Sequence, residues 1–288
     1  MDKIDQENII YVRDFHKEGF TNEKIAEKVY EIYSESGVFY DMDAAEAAAE
    51  ALIEPDGLNL SPAETAKALK DGANLETTHI AQALKSDMGG DLKYSEVAQA
   101  LHSDEGCNLS AKKTVEVLTD REGLNCSPES VGTSLYAMRS QGVSMEEAAQ
   151  SMHLGATMDI EKTAQTLFYH YESPPHLEEV VHDINEIMEE EFNYGLVGPA
   201  SKLVDVAKAL YSEEGLYLTP EQTAISLRYG ADADVADVFK ALHSEKGLGM
   251  EVEDVYNTMQ NMDWNKRDEI IVEEYLDHLG IAVEQNKL

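Results

Sequence analysis

One short phrase recurs along this chain: a small residue, any residue, a second small residue and then a large apolar residue. The first copy is Ala49-Glu50-Ala51-Leu52, and a close copy is Ala66-Lys67-Ala68-Leu69. The large apolar residue returns after 17 or 15 positions over most of the chain. This period predicts a repeat protein built from one helix-turn unit. The large apolar positions are Leu52, Leu69, Leu84, Leu101, Leu118, Leu135, Met152 and Leu167, and then Leu210, Leu227, Leu242 and Met259.

The segment from Gly57 to Glu64 predicts where one helix ends and the next begins. Ser61 suits the N-cap, Pro62 the first helical position, and Glu64 the reciprocal bond of a capping box. We expect Gly57 to adopt the left-handed backbone that ends many helices. Related sequences occupy residues 106–110, 123–128 and 215–222, and tighter junctions occur at Gly72-Ala73, Gly155-Ala156 and Gly230-Ala231.

Within a unit, apolar and small residues fall three and four positions apart, so that Thr65, Ala66 and Leu69 share one helix face. Helices of about ten to fourteen residues are too short to be stable alone in water, so each must pack on its neighbours. The sequence therefore predicts an all-α fold. The finer prediction is an α-solenoid, a curved helical-repeat array of short antiparallel helices with 15- and 17-residue steps.

A larger duplication overlies the short repeat. Residues 51–101 align without a gap to residues 209–259, and 16 of these 51 positions are identical. One stretch, residues 168–200, interrupts the repeat between the two blocks and contains Pro174-Pro175 before a longer helix and Gly198-Pro199 after it. We predict an N-terminal helical cap (1–38), a first repeat block (39–172), a longer helix and seam (173–199), a second, duplicated block (200–262) and a C-terminal helical cap (263–288).

The chain is strongly acidic. Its 57 acidic and 22 basic residues give a formal net charge of −35 over 288 residues. Direct binding of nucleic acid is not expected, because phosphates are neutralised by lysine and arginine. Hydrophobic residues make up 43% of the chain, which is enough for a packed core and excludes a disordered chain of low hydrophobicity.

Acidic residues precede the glycine that follows a helix in copy after copy. Such acids are unfavourable there by about 0.3–1 kcal/mol each at low salt, because a helix C-terminus carries partial negative charge. In a solenoid they would form an acidic rim for a protein or peptide partner, with a basic partner as the candidate. A solvated surface that only confers solubility is the alternative. The predicted rim residues are Glu54, Asp56, Asp104, Glu105, Asp120, Glu122, Glu213, Glu214 and Glu245.

The sequence favours a non-enzymatic helical-repeat scaffold, and three other interpretations remain open. The first is an acidic decoy that mimics nucleic acid and inhibits a basic protein. The second is salt adaptation. The 17 Lys and 5 Arg argue against it, because salt-adapted proteins are expected to contain few lysines. The third is a metal-dependent enzyme with a carboxylate–histidine site. Its candidate ligands are Glu178, His182 and Glu186 on one helix face, with Glu179-x-x-His182 and Glu76-x-x-His79 as partial di-iron motifs. Incidental matches are expected in so acidic a chain, so we predict no metal and no cofactor.

The cellular compartment is predicted from the two cysteines, the N-terminal segment and the length of the apolar stretches. Cys107 and Cys126 fall at apolar positions of the repeat, where a thiol packs as a small hydrophobic group. The segment from Met1 to Asn8 has no basic region followed by an apolar run. No stretch approaches the 18 or more apolar residues that a membrane-spanning helix needs. We therefore expect a cytoplasmic protein without a membrane segment.

Overall fold

A computed structural model of the chain describes residues 12–35, 41–171, 177–193 and 199–260. Every regular element in these residues is helical, which confirms the predicted all-α class. The chain divides into two compact units, Met1–Thr157 and Met158–Leu288. The first unit contains α1 (12–17), α2 (Asn22–Glu35), α3 (Asp41–Ile53), α4 (Pro62–Asp71), α5 (Thr77–Lys85), α6 (Tyr94–His102), α7 (Ala111–Thr119), α8 (Pro128–Met138) and α9 (Met145–Gln150).

The second unit contains α10 (Ile160–Thr166), α11 (Leu177–Asn193), α12 (Pro199–Tyr211), α13 (Pro220–Tyr229), α14 (Val235–His243) and α15 (Val252–Gln260). A short 3-10 helix follows α8 at Arg139–Gln141. Wider π-helical turns extend α9 over Ser151–Gly155 and α10 over Leu167–Tyr171.

The large apolar residue of each repeated phrase lies in the core. All twelve of these residues, from Leu52 to Met259, are fully buried. The small residues beside them are buried as well, as Ala66 and Ala68 are next to Leu69. Small side chains at these positions let neighbouring helices approach closely, so that each leucine or methionine is enclosed by several helices.

Helices pack mainly on their near neighbours in the chain. In the first unit, α4 contacts α3 and α5, the helices next to it, and also α2 and α6, the next but one. In the second unit, α13 contacts α12 and α14, and also α11 and α15. Short helices obtain their stability from such contacts because their own backbone hydrogen bonds are too few.

The predicted helix starts are confirmed. The Ser61 hydroxyl accepts from the Glu64 amide, and the Glu64 carboxylate accepts from the Ser61 amide, with Pro62 at the first helical position. Thr219, Pro220 and Gln222 repeat this arrangement at α13. Ser110 and Ser127 cap α7 and α8 through their hydroxyls. These bonds satisfy amides that have no partner within the helix.

The prediction for Gly57 is wrong in its reason. Gly57 does not have a positive φ; the left-handed residue is Asn59, at φ 54°. Glycine is needed at position 57 because the turn folds back on α3, and a Cβ there would lie 2.0 Å from the carbonyl oxygen of Ala51. The turn closes through hydrogen bonds from the Leu58 amide to the Ala51 oxygen and from the Leu60 amide to the Leu52 oxygen.

A left-handed residue precedes each helix whose junction is described. It lies three positions before the first residue of the helix and is followed by an apolar or small residue and then the N-cap. Asparagine and aspartate tolerate this backbone best among residues with side chains, and glycine adopts it freely. The eleven residues are Gly19, Asn59, Asn74, Asp91, Asn108, Asn125, Gly142, Thr157, Tyr217, Asp232 and Gly249.

The glycines of the tighter junctions meet a different helix. A Cβ at Gly72 would lie 1.9 Å from the carbonyl oxygen of Glu23 in α2. A Cβ at Gly155 would lie 2.9 Å from the Lys112 oxygen in α7, and one at Gly230 would lie 2.8 Å from Val181 Cβ in α11. In all three cases the glycine ends one helix and touches the helix two steps earlier, which explains why a small residue recurs at this position.

The predicted domain boundaries stay a prediction. The longer helix expected within 173–199 is present as α11, Leu177–Asn193. The N-terminal cap is described only for residues 12–35, and the C-terminal cap, 263–288, lies outside the described residues.

Replacing Gly57 by alanine tests the close approach of the turn. We expect Gly57→Ala to lower the free energy of unfolding by about 1–3 kcal/mol, since the new methyl group must displace the Ala51 carbonyl. The matched control is Asn59→Gly, which keeps a left-handed backbone available and should change stability by less than about 0.5 kcal/mol. Urea unfolding measures both. An alanine variant as stable as the parent would mean that the turn does not press on α3.

Candidate functional site: the acidic turns between helices

Six longer turns connect helices, and five of them carry the acidic residues singled out from the sequence. All six share one hydrogen-bond pattern. The carbonyl of the first turn residue accepts from the amide three positions later and also from the amide five positions later. This pattern turns the two residues after the first outward. The long turns, as we call them, comprise residues 54–61, 86–93, 103–110, 120–127, 212–219 and 244–251.

Most of the predicted rim residues are exposed on these turns. Glu54, the first residue of its turn, is half-buried, while the other eight are exposed. Asp56 pairs with Arg13 at 3.6 Å between Nη2 and Oδ1, with both side chains largely exposed. Such an exposed pair contributes at most about 1 kcal/mol. Asp120 differs because its Oδ1 accepts from the Glu122 amide at 2.9 Å and thereby stabilises its own turn.

The long turns of the first unit pack on helices two steps earlier. Lys70 Nζ in α4 donates to the Cys107 carbonyl at 2.7 Å, which ties the turn 103–110 to α4. Gln82 Nε2 in α5 donates to the Glu122 carbonyl, which ties the turn 120–127 to α5. The turn that carries Asp104 and Glu105 is therefore bonded to a different helix from the turn that carries Asp120 and Glu122.

Asp104 and Glu105 line an acidic cleft of about 500 Å³ together with Glu147, the third residue of α9. Gln141 and His102 complete part of its wall. His102 Nδ1 lies 2.7 Å from the Leu109 carbonyl oxygen, so Nδ1 donates and the ring is fixed in place. Three carboxylates around one small cleft favour a cationic group. Glu147 was missed in the sequence because nothing in its local pattern links it to the turn 103–110.

Two other clefts contain a rim residue but have mixed charge. Asp120 lines a cleft of about 710 Å³ with Lys70, Lys113, Glu76 and Glu116. In the second unit, Glu245 lines a cleft of about 710 Å³ that also contains Lys202, Lys240, Lys246 and Asp237. Lys240 Nζ pairs with Asp237 Oδ1 at 2.7 Å. These clefts do not favour one sign of charge as the cleft at Asp104 does.

The candidate metal residues are described in part. On α11, Glu179 and His182 are exposed and Glu186 is half-buried, whereas the side chain of Glu178 lies outside the described residues. Glu76 is exposed and His79 half-buried on a different element. Among the side chains that the structure describes, no three histidine, cysteine, aspartate or glutamate groups come close enough together to hold a metal ion.

Of the two thiols, Cys107 belongs to the apolar core, as predicted from the repeat. Cys107 is fully buried, and Cys126 is half-buried. Burial raises the pKa of Cys107 to about 11 and that of Cys126 to about 12. A thiol that stays protonated is a poor nucleophile, so neither cysteine is an activated group.

An acidic group beside the turn 86–93 has a shifted pKa. Burial raises the pKa of Glu46 in α3, and the nearby carboxylates of Asp43 and Asp87 raise it further. The folded protein therefore holds the Glu46 proton more tightly than the unfolded chain does. Folding becomes less favourable as the pH rises from the pKa of Glu46 in the unfolded chain through its higher pKa in the folded protein.

We expect Glu46→Gln to raise the melting temperature at pH 7, because it removes a partly buried charge that two neighbouring acids repel. The gain should disappear at a pH below about 4, where glutamate is protonated in both states. Glu18→Gln, at an exposed position, is the control and should show no such pH-dependent gain. Thermal unfolding monitored by circular dichroism gives the answer, and an equal gain at both pH values would contradict the assigned cause.

The turn acids can be compared with acids at helix starts. We expect Asp104→Asn, Glu105→Gln, Glu122→Gln, Glu213→Gln and Glu214→Gln together to raise the melting temperature at low salt, since each acid follows a helix C-terminus and opposes its dipole. The control set, Glu129→Gln, Glu146→Gln, Glu161→Gln, Glu221→Gln and Asp254→Asn, removes the same charge from first helical turns, where acids are favourable.

Both variants change the formal net charge from −35 to −30, so any difference between them reports position rather than total charge. The turn variant should melt at the higher temperature, and the difference should shrink above about 0.5 M salt as charges are screened. A turn variant that is less stable than the control variant would mean that the turn acids have favourable partners in the folded protein.

Among the helices that the structure describes, none has the length and apolar character needed to cross a membrane. Comparison with protein-family models, with curated proteins and with solved structures gives no match to this chain.

Proposed function

We propose that this protein is a helical-repeat scaffold of the α-solenoid type that binds a basic protein or peptide through its acidic turns. The observation that supports this most is the contrast between the helix and the turn of each repeat. Apolar residues pack each helix against its near neighbours, while acids recur within the first three positions of the long turns, where most of them are exposed.

The acidic positions have a cost that folding alone does not explain. Each acid lies just after a helix C-terminus, where lysine or arginine would be more favourable by about 0.3–1 kcal/mol. A chain selected only for stability would place basic residues there. A partner with lysine or arginine side chains would offset the cost in the complex, because opposite charges then face each other.

The cleft bounded by Asp104, Glu105 and Glu147 is the proposed contact for one basic side chain of the partner. A volume of about 500 Å³ is within the usual range of binding sites. The two carboxylates of the turn and the one of α9 come from separate parts of the chain, so a guanidinium group in the cleft could donate hydrogen bonds to both. Arginine is suited to this because it presents several donors in one plane.

Binding of a fluorescent oligo-arginine peptide tests the proposal, with the two five-residue variants described above as a matched pair. Non-specific attraction to a negative protein should fall equally in both variants, because their net charges are equal. We expect the turn variant to lose at least about tenfold more affinity than the first-turn variant, as measured by fluorescence anisotropy. The affinity of the parent should also fall as salt is raised.

Equal losses in the two variants would contradict the proposal and leave the turns as a solvated surface. A peptide affinity that does not change with salt would contradict it in another way, because contacts between exposed charges are screened.

A further inference from the structure

The two aligned blocks allow a comparison of exposed residues in the same local setting. The buried faces of α4 and α13 are nearly identical: Thr65, Ala66 and Leu69 correspond to Thr223, Ala224 and Leu227. The turns before the two helices have the same hydrogen bonds, and both helices begin with a capping box. Folding therefore imposes the same demands on both copies.

The exposed residues of the two copies differ in kind. The first block has the polar residues Asn59, Lys67 and Asp71, all exposed. The corresponding residues of the second block are Tyr217, Ile225 and Tyr229, with 71%, 41% and 55% of their surfaces accessible. Because the first copy folds with polar groups at these positions, the fold does not require the apolar ones.

Tyr217 occupies a backbone position that a large side chain disfavours. Its φ is +53°, and it is the one aromatic residue among the eleven left-handed residues of the described junctions. A left-handed backbone costs roughly 1–2 kcal/mol for a residue with a side chain, and less for asparagine or glycine. A tyrosine that is both strained and mostly exposed contributes little to folding, which favours a role in contact with another molecule.

Ile225 and Tyr229 are one helical turn apart, so they lie on the same face of α13. Tyr217 lies in the turn that leads directly into this helix. Tyrosine is frequent at binding interfaces because its ring buries a large apolar area while its hydroxyl can hydrogen-bond. The three side chains thus offer apolar contacts along the start and the length of one short helix.

The charged residues near these side chains in the sequence are mainly acidic. Residues 208–234 contain five acids and two bases, and one of the bases, Arg228, donates to the Ala233 carbonyl at 2.9 Å. A second copy of this chain would itself carry a net charge of −35. Charge repulsion therefore disfavours it as the molecule that covers these side chains. A segment that combines apolar residues with lysine or arginine fits both features. The acids are Glu213, Glu214, Glu221, Asp232 and Asp234.

We propose that Tyr217, Ile225 and Tyr229 form an apolar anchor for an amphipathic segment rich in lysine or arginine in a partner protein. This inference rests on the proposed function and assigns the second block the role of holding the partner's apolar residues. The acids of the neighbouring turn attract the basic residues, while the anchor selects a segment with apolar residues at helical spacing.

The test exchanges the exposed residues between the blocks. Tyr217→Asn, Ile225→Lys and Tyr229→Asp together give the second block the residues of the first and leave the net charge unchanged. The probe is a fluorescent helical peptide of about four turns with leucine on one face and lysine on the other. We expect the exchange to weaken its binding by at least about tenfold. A second peptide with serine in place of leucine should bind the parent and the exchanged protein alike.

The reciprocal variant, Asn59→Tyr, Lys67→Ile and Asp71→Tyr, guards against a folding artefact, because it should gain affinity for the leucine–lysine peptide. Circular dichroism confirms that both variants fold. Unchanged binding of the leucine–lysine peptide to the exchanged protein would overturn the anchor. So would a parent that forms a dimer in sedimentation and an exchanged protein that is monomeric, because a second copy would then be the occupant.

The two proposals fail differently. If the serine–lysine peptide binds the five-residue turn variant as well as it binds the parent, the acidic turns are not a binding surface. The anchor alone fails under a different pair of results. The serine–lysine peptide then binds the turn variant more weakly than the parent, while the leucine–lysine peptide binds the exchanged protein as well as the parent.

Discussion

The structure depends on the burial of large apolar residues carried by short helices. Helices such as α5 and α6, of nine residues each, have too few internal hydrogen bonds to persist alone. Leu84 and Leu101 become fully buried only because helices next to them and next but one approach closely. The alanines, the glycines of the turns and the fixed junction lengths all allow this close approach. Substitutions that increase the distance between neighbouring helices should therefore destabilise several helices together.

Local features of the sequence were sufficient to predict the helices and their starts. Ser61, Pro62 and Glu64 form the expected capping box because such contacts involve residues only three positions apart. The reason for Gly57 was not predictable in the same way. Its proximity to the Ala51 carbonyl follows from how the turn folds back, and the left-handed residue, Asn59, was not singled out from the sequence.

The candidate site was predicted only in part, for the same physical reason. Acids such as Glu105 could be placed on turns from their position before a glycine. That Glu147 shares the cleft with Glu105 depends on packing between separate helices, which no local pattern contains. Tyr217 and Tyr229 had a signal in the sequence, because the alignment of the two blocks sets them against Asn59 and Asp71, but it gains meaning only when their exposure is known.

The central claim is that a basic partner binds where the turns carry acids, and backbone amide shifts measured by NMR test it most directly. A titration of the labelled protein with the leucine–lysine peptide should move the signals of residues 103–108, 141–147 and 213–229 far more than those of the buried faces of α5 and α6. Shifts spread evenly over the exposed acids of the whole chain, or concentrated on first helical turns such as that of α8, would contradict the account.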